Sequence, residues 1–203
     1  MSRIALIYTG YLRSWPQCRG WHQQNVYTDE TDLFFYTYEK PEWGENDFIK
    51  PKIIHIPIHE PFFPDPFAIH KYSSRCVPEN TVYQSLNQFH NNLISFCLTP
   101  PGYDVYVRLR PDLAVESKLD FSQYDCSGNN IYIPQGNDYG GVNDQFAFGS
   151  REVMRKYYSL YFTCHELWEE GQIWHSEGLQ LANLNKQGVN IVRFGSPQPY
   201  IVR

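Results

Sequence analysis

Residues 103–113 read YDVYVRLRPDL, and the fold prediction depends on this stretch. Side chains of an extended strand alternate between its two faces, so the two valines point one way, and Arg108 and Arg110 point the other way. Pro111 ends the strand, because proline has no N–H to donate to a neighbouring strand. Two arginines therefore share one face near the carboxyl end of a strand, and Asp112 follows directly.

Two interpretations of this strand differ in the role of its charges. An edge strand with a solvated face and a surface ion pair is the simpler one. The apolar, helix-patterned stretches on either side favour a central position instead. Two arginines on one face also suit an anion such as a diphosphate better than they suit solvent. We therefore expect Arg108, Arg110 and Asp112 at the carboxyl end of a central strand, where open α/β sheets place their ligands.

The rest of the chain alternates predicted strands with predicted helices. Residues 4–8, IALIY, are typical of a strand buried on both faces, and further strands are predicted at residues 33–38, 53–58, 131–134 and 189–194. Periodicity and capping residues predict helices that begin at Ser14, cover residues 78–97, run from Ser150 to Gly171, and follow Ser176 over residues 177–187. The proline-rich residues 59–67 predict an irregular loop. This order predicts an α/β domain with about six strands, mostly parallel.

Composition limits the classes of protein that the chain can belong to. A chain of 203 residues is long enough for a substantial core and is predicted to form a single domain. Its net charge of -5 argues against a nucleic-acid partner bound through a broad basic surface. Five cysteines without a C-x-x-C pair favour a reducing compartment, and no apolar run reaches the ~20 residues of a membrane span. A soluble, cytoplasmic protein without a membrane span is expected.

The segment TGYLRSW, residues 9–15, follows the first predicted strand. Gly10 lets backbone N–H groups approach a phosphate, and Arg13 lies just before a helix start. The G-x-G-x-x-G and Walker patterns are both absent, so the segment predicts a nucleotide fold that holds phosphate in another way. A simple turn glycine beside a surface arginine explains the segment equally well.

Two further segments carry candidate carboxylates. In GGVNDQFAFGS, residues 140–150, paired glycines precede Asp144 and a strand, which predicts either a ligand wall or a hairpin turn capped by Asp144. In IWHSEGLQL, Glu177 lies in the first turn of a predicted helix, where the helix dipole favours a carboxylate. Its neighbour His175 makes a second role as a base possible, although the capping role is the stronger interpretation.

Taken in order, TGYLRSW, the polar-faced helix before YDVYVRLRPD, and then IYIP, GGVNDQFAFGS and REVMRKYY resemble a GT-A type glycosyltransferase. The chain is similar in particular to small nucleotide-sugar transferases with R-x-R-x-D in place of the metal-binding D-x-D, such as the viral enzymes that glycosylate the capsid protein of large algal viruses. The resemblance implies a GT-A-like (Rossmann-like) single domain over residues 1–203. Residues 1–113 would form the nucleotide-binding half and residues 114–203 the acceptor-side half, and a viral enzyme would act in the host cytoplasm.

The resemblance also implies roles for individual residues. Asp112 would hold Mn²⁺ or Mg²⁺, with water and phosphate oxygens completing the coordination. Asp144 would face the acceptor, and we prefer it to Glu177 as the acceptor-side carboxylate, because Glu177 already has a structural reason to lie at its helix start. The complete predicted donor site comprises Thr9, Gly10, Tyr11, Arg13, Gln88, Arg108, Arg110 and Asp112.

The predicted activity is the transfer of a sugar from a nucleoside diphosphate donor, a UDP-sugar, to a hydroxyl of a glycan or glycoprotein, as in the glycosylation of a capsid or surface glycoprotein. Two other classes remain open. A glycoside hydrolase would need two carboxylates across a cleft, which Asp144 and Glu177 could supply. A sugar-binding module without catalysis would need only aromatic side chains, which make up 17% of the chain. Binding of UDP discriminates the transferase from both.

Overall fold

The computed structural model describes residues 2–41, 51–55, 81–196 and 198–202. The strands are β1 (Ile4–Gly10), β2 (Thr31–Thr37), β3 (Ile53–His55), β4 (Val105–Leu109), β5 (Leu113–Ala114), β6 (Asn130–Pro134), β7 (Phe146–Gly149), β8 (Asn190–Phe194) and β9 (Tyr200–Ile201). The α-helices are α1 (Trp15–Asn25), α2 (Thr81–Leu98), α3 (Arg151–Tyr158), α4 (Leu160–Glu169) and α5 (Ser176–Lys186), and a 3₁₀ turn covers Phe121–Gln123.

A seven-stranded sheet with the order β3-β2-β1-β4-β7-β6-β8 forms the centre of the molecule. Only β7 pairs antiparallel to its neighbours, so six strands of this sheet run in one direction. Strands β5 and β9 form a separate antiparallel pair. The predicted α/β class, with a mostly parallel central sheet and flanking helices, is confirmed, and the seventh strand of the sheet is the reversed β7.

The two central strands are β1 and β4. They are parallel, with Leu6 opposite Val107, and both residues pack into the core on one side of the sheet. Ile7 and Tyr106 point to the core on the other side. Burial on both faces is the reason for the continuous apolar run of β1. The prediction of a central position for β4 is confirmed, and the edge-strand alternative is wrong.

A buried histidine connects α1 to the sheet. His22 has no exposed surface, and its two ring nitrogens lie 2.9 Å from the Tyr8 hydroxyl and 2.6 Å from the Leu113 carbonyl oxygen. Burial lowers the pKa of His22 to about 4, because charging the ring inside the core costs its hydration. The neutral ring therefore donates to the Leu113 carbonyl and accepts from Tyr8, and this holds α1 against β1 and β5.

The long helix predicted from Ser150 is two helices. The Ser150 hydroxyl caps α3 by accepting a hydrogen bond from the Val153 N–H at 3.2 Å, as predicted. The break falls at Ser159, between α3 and α4. In a continuous helix the Lys156 carbonyl would accept from the N–H four residues later. It instead accepts from the Ser159 N–H at 3.3 Å and from the side chains of Ser159, Asn183 and Gln187 at 2.7, 2.9 and 3.1 Å. Contacts with α5 and with the residue after it therefore accompany the interruption of the helix.

The predicted N-cap serines of α1 and α5, Ser14 and Ser176, do not cap these helices with their side chains. Ser14 stands at the N-cap of α1, but its hydroxyl donates to the Val202 carbonyl at 2.7 Å and does not cap the helix. The N-cap of α5 is His175, and the Ser176 hydroxyl lies 3.2 Å from that of Ser85. Both hydroxyls therefore join distant parts of the chain.

Parts of three predicted elements fall on residues that the structure does not describe. Residues 56–58 of the third predicted strand, the proline-rich residues 59–67 and residues 78–80 of the second predicted helix lie outside the described residues. The cysteines of the described ranges, Cys18, Cys97, Cys126 and Cys164, are free thiols. Among the described helices, none is both long enough and apolar enough to span a membrane.

The first prediction compares two glycines that have equal space around them. A Cβ at Gly10 or at Gly20 would meet no atom within 4 Å, but Gly10 has φ +114° whereas Gly20 lies inside α1. Gly20→Ala should raise the free energy of unfolding by about 0.5–1 kcal/mol, because alanine has less backbone entropy to lose. Gly10→Ala should lower it by about 1–3 kcal/mol through backbone strain alone. Urea denaturation of both variants measures this, and equal signs would contradict the φ argument.

Candidate active site

A cleft opens at the carboxyl ends of β1 and β4. The chain leaves β1 through α1 to reach β2 on one side, and it later returns through α2 to β4 on the other side of β1. The two connections diverge at this point, so a crevice forms outside the strand ends, as in other open α/β sheets. The cleft encloses about 840 Å³, within the range of about 300–1,000 Å³ that is usual for small-molecule sites.

Four parts of the chain line the cleft: the end of β1 with the segment after it, the residue that follows β2, the polar face of α2, and the end of β4. Of the eight residues predicted to bind the donor, seven lie here, namely Thr9, Gly10, Tyr11, Arg13, Gln88, Arg108 and Arg110. Asp112 is the exception. The lining also includes side chains that the sequence did not single out as ligand contacts, namely Tyr38, Tyr83, Gln84, Asn87, Asn91 and Asn92.

The segment after β1 has an unusual backbone. Gly10 has φ +114° and Arg13 has φ +28°, a region that residues with a side chain rarely adopt. The Thr9 hydroxyl donates to the Ser95 hydroxyl of α2 at 3.2 Å, which fixes the end of β1 against the helix. Such strain is characteristic of functional sites, because the surrounding structure must hold it in place. The positive φ of Gly10 favours glycine at this position under both interpretations of the segment, the phosphate loop and the simple turn.

Aromatic rings form one wall of the cleft. The Tyr11 and Tyr38 rings stack with centroids 4.6 Å apart, and the Arg13 guanidinium lies 5.4 Å from the Tyr11 ring centroid. The Asn91 side chain donates to the Tyr38 hydroxyl. Stacked rings of this kind offer the apolar surface that a nucleobase or a sugar face requires.

Asp112 does not line the cleft itself, but it is held by Arg110, which does. The Arg110 Nε and Nη2 atoms donate to its two carboxylate oxygens at 3.0 and 2.8 Å, and Arg13 Nη1 lies 3.9 Å away. Only 1% of the Asp112 side chain is exposed. The surface ion pair considered from the sequence is therefore a buried, bidentate one.

This geometry does not suit the predicted metal ligand. A divalent cation needs a carboxylate oxygen directed at the substrate phosphates, whereas both oxygens of Asp112 already accept from Arg110. Within the described ranges, no three His, Cys, Asp or Glu side chains are grouped so that they could hold a metal ion. A role for Asp112 in binding Mn²⁺ or Mg²⁺ stays a prediction, and it would require Arg110 to move.

Arg108 is the buried cation of the cleft. It is 2% exposed, and its Nε and Nη1 atoms have no hydrogen-bond partner among the described residues. Burial raises the pKa values of the Tyr157 and Tyr158 hydroxyls, and the positive charge of Arg108 partly opposes this. A buried guanidinium with unsatisfied donors costs free energy, so these nitrogens call for a hydrogen-bond acceptor.

Asp144 is also buried, at 7% exposure, and it does not line the cleft directly. Its carboxylate accepts a short hydrogen bond from Gln88 of the α2 polar face, and its carbonyl accepts from the Tyr157 hydroxyl at 3.1 Å. The turn before β7 is capped by Asn143, whose side-chain oxygen accepts from the Gln145 N–H at 2.9 Å. The alternative in which Asp144 caps that turn is therefore wrong.

Glu177 lies in the first turn of α5, as predicted, with 14% of its side chain exposed. Its Oε2 atom is 3.3 Å from His175 Nδ1. Burial, followed by the negative charge of Asp144, raises the pKa of Glu177 to about 7. A carboxyl that titrates near neutral pH can take up a proton from a substrate hydroxyl, which a carboxyl at its ordinary pKa does less well.

Gly141 explains how the two carboxylates come together. A Cβ on this residue would lie 2.0 Å from the backbone carbonyl of Glu177, so only glycine allows the chain before β7 to reach the start of α5. The Val142 N–H donates to the same carbonyl at 3.1 Å. The sequence predicted a close backbone approach at the glycine pair. At Gly141 this approach brings the chain before β7 against the start of α5.

Comparison of the chain with protein-family models and with curated proteins finds no match. No family is therefore assigned to it. Its function is inferred from the chemistry of the cleft.

The second prediction concerns the pH dependence that Glu177 confers. Its pKa is about 7 in the fold, against 4.5 for an ordinary glutamate. As the pH rises from 4.5 to 7, Glu177 ionises in the unfolded protein before it ionises in the folded protein. The free energy of unfolding therefore falls, by up to about 3 kcal/mol. Glu177→Gln should remove this loss. The stability of the variant relative to wild type should therefore be higher at pH 8 than at pH 5.

Urea denaturation at the two pH values measures this difference. The exposed Glu152, whose pKa is lowered by its hydrogen bond with Arg155, provides the control. Glu152→Gln should show no gain in relative stability at pH 8. An equal difference between wild type and Glu177→Gln at both pH values would contradict the raised pKa.

Proposed function

We propose that the protein is a glycosyltransferase that moves a sugar from a nucleoside diphosphate donor, a UDP-sugar, to a hydroxyl of a glycan or glycoprotein. The observation that carries the proposal is the buried guanidinium of Arg108 in a cleft at the carboxyl ends of β1 and β4, two of whose nitrogens have no hydrogen-bond partner among the described residues. Arg13 and Arg110 line the same cleft, and stacked tyrosines form one of its walls. A nucleoside diphosphate needs this combination of cations and aromatic surface.

The transfer exchanges one bond of the sugar for another. The bond between the anomeric carbon and the β-phosphate oxygen breaks, a bond to the acceptor oxygen forms, and UDP leaves with the electron pair. Negative charge grows on the leaving diphosphate, so cations held ready in a site of low dielectric stabilise the transition state. Arg108 and Arg13 would supply that charge.

The acceptor hydroxyl loses a proton during the transfer. We assign its uptake to Glu177, which is not itself a lining residue but interacts electrostatically with Arg110 of the cleft lining. The pKa of this carboxyl is raised to about 7, and 14% of its side chain remains exposed. Asp144 would act through Glu177, because its negative charge contributes to the raised pKa. This reverses the preference for Asp144 that the sequence suggested, and the two assignments are tested together below.

Two alternatives fit the cleft less well. A sugar-binding module has no use for a buried cation such as Arg108, because neutral sugars bind through hydrogen bonds and ring stacking. A glycoside hydrolase would use the neighbouring Asp144 and Glu177 as its carboxylate pair, and the effect of Asp144 on the pKa of Glu177 is compatible with that. The hydrolase would leave the arginines of the cleft without a function.

The third prediction is selective stabilisation by nucleoside diphosphates. UDP or a UDP-sugar at a hundredfold its dissociation constant should raise the free energy of unfolding by about 2.7 kcal/mol, because it binds only the native state. Thermal denaturation with UDP, a panel of UDP-sugars and uncharged uridine measures this. Uridine should give a much smaller shift. No shift with any nucleoside diphosphate would remove the transferase proposal and favour sugar binding without catalysis.

The fourth prediction separates the two carboxylates. Glu177→Gln should lower the transfer rate by 10²–10⁴-fold at unchanged donor affinity, which is the usual cost of losing a general base. Asp144→Asn should lower the rate less and should also lower the pH at which activity reaches half its maximum, because Asp144 helps to raise the pKa of Glu177. A transfer assay over pH 5–9 beside a UDP-sugar titration measures both.

Either of two results would overturn the assignment to Glu177. If Asp144→Asn alone loses turnover at unchanged donor affinity, the order suggested by the sequence is the correct one. If neither variant loses turnover, the enzyme uses no dedicated carboxylate base, and a retaining mechanism accounts better for the reaction.

A further inference from the structure

We propose that arginine side chains alone bind the donor diphosphate, with Arg108 at the floor of the cleft as the principal group, and that neither donor binding nor transfer needs a divalent cation. The inference rests on the proposed function and specifies how its leaving group is bound. Three features of the structure carry it: the state of Asp112, the unsatisfied charge of Arg108, and the distribution of charge in the cleft.

The first feature is that both carboxylate oxygens of Asp112 already accept hydrogen bonds within the protein. Arg110 donates to both of its carboxylate oxygens, at 3.0 and 2.8 Å, and the side chain is 1% exposed. The backbone at Asp112 is fixed as well, because its carbonyl accepts from the Val202 N–H at 2.9 Å. A cation at this carboxylate would have to displace a bidentate arginine, which is among the stronger ion pairs in proteins. Asp112 therefore orients Arg110.

The second feature is the isolation of Arg108. Burying a charge is costly unless it is paired, and two of the three guanidinium nitrogens here have no partner among the described residues. Asp144 and Glu177 act electrostatically on the Tyr157 hydroxyl, as Arg108 does, yet no ion pair joins either of them to the guanidinium in the described ranges. An anionic ligand would supply the missing partner.

The third feature is the net charge that the cleft offers. Arg13, Arg110 and Asp112 together carry one positive charge near the mouth, and Arg108 carries a second one at the floor. A diphosphate brings at least two negative charges on adjacent groups, so the protein can balance them without an added ion. A neutral sugar would leave Arg108 unpaired, and a monophosphate would engage fewer of the arginines. Affinity should therefore fall from UDP to UMP to uridine.

Isothermal titration of UDP in EDTA, and again in Mg²⁺ or Mn²⁺, tests the inference. Wild-type protein should bind UDP with the same dissociation constant, within about twofold, in all three buffers. Arg108→Met, which removes the charge at similar volume, should weaken binding by at least ~10²-fold, because it removes charge-assisted hydrogen bonds in a desolvated site. Arg155→Met is the matched control, since Arg155 is exposed and pairs with Glu152 on the surface of α3. It should bind UDP like wild type.

Stability measurements show whether the Arg108 variant reports on the site or on folding. Without ligand, Arg108→Met should melt at or above the wild-type temperature, because it removes an unpaired buried charge. Added UDP should then raise its melting temperature by much less than that of wild type. Arg108→Lys keeps the charge but loses the planar fork, and it should lie between the two in affinity. Should both variants fail to fold, the EDTA series on wild type still decides the metal question.

The outcomes separate this inference from the proposed function. If wild type binds no nucleoside diphosphate in any buffer, the proposed function fails. If it binds UDP only with Mg²⁺ or Mn²⁺, the transferase proposal stands and the arginine inference is overturned in favour of a metal. If UDP binds in EDTA but Arg108→Met binds equally well, the diphosphate lies on other groups and the role of Arg108 is wrong.

Discussion

The parallel pairing of β1 with β4 is the constraint on which the rest of the structure depends. The two strands are distant in sequence, yet Ile4 pairs with Val105 and Tyr8 with Leu109, so their carboxyl ends meet at one edge of the sheet. Apolar side chains on both faces of each strand fix this position, because the strands must be covered on both sides. The cleft follows from the pairing, since the connections that leave β1 and enter β4 lie on opposite sides of that edge.

Burial and charge oppose each other at Arg108, which lines the cleft, and at Glu177, which is not among its lining residues. Arg108 keeps a charge in the interior with no carboxylate partner among the described residues, and Glu177 lies where burial and Asp144 disfavour its ionised form. Both arrangements lower the stability of the unliganded protein. In the proposed transferase, groups held in this way would already be desolvated and oriented when the donor binds, which is the condition for strong electrostatic stabilisation of a transition state. The contrasting case is His22, which is buried but neutral and fully hydrogen-bonded, and so supports the fold.

Much of the secondary structure was predictable, because it depends on local patterns. The apolar run of β1, the alternation in β4 and the periodicity of α2 correspond to the observed elements within a few residues. The exceptions have tertiary causes. Side chains of Asn183 and Gln187 interrupt the predicted long helix at Ser159, and the Ser14 hydroxyl bonds to a carbonyl near the other end of the chain. No local pattern contains those partners.

The sequence by itself determined the α/β class, the central position of YDVYVRLRPDL and the residues that follow its strands, because periodicity and turn chemistry are local properties. Only the tertiary structure decided what the charges there contact. Arg108 lies in β4 and Arg110 directly follows it, yet two nitrogens of Arg108 have no hydrogen-bond partner among the described residues, whereas Arg110 is bound to Asp112. Glu177 differs from an ordinary helix-start glutamate because it is largely buried and lies near Asp144, and Gly141 lets its helix approach the segment that carries Asp144. Pairing, burial and pKa depend on neighbours from distant parts of the chain, so they are known only once the chain has folded.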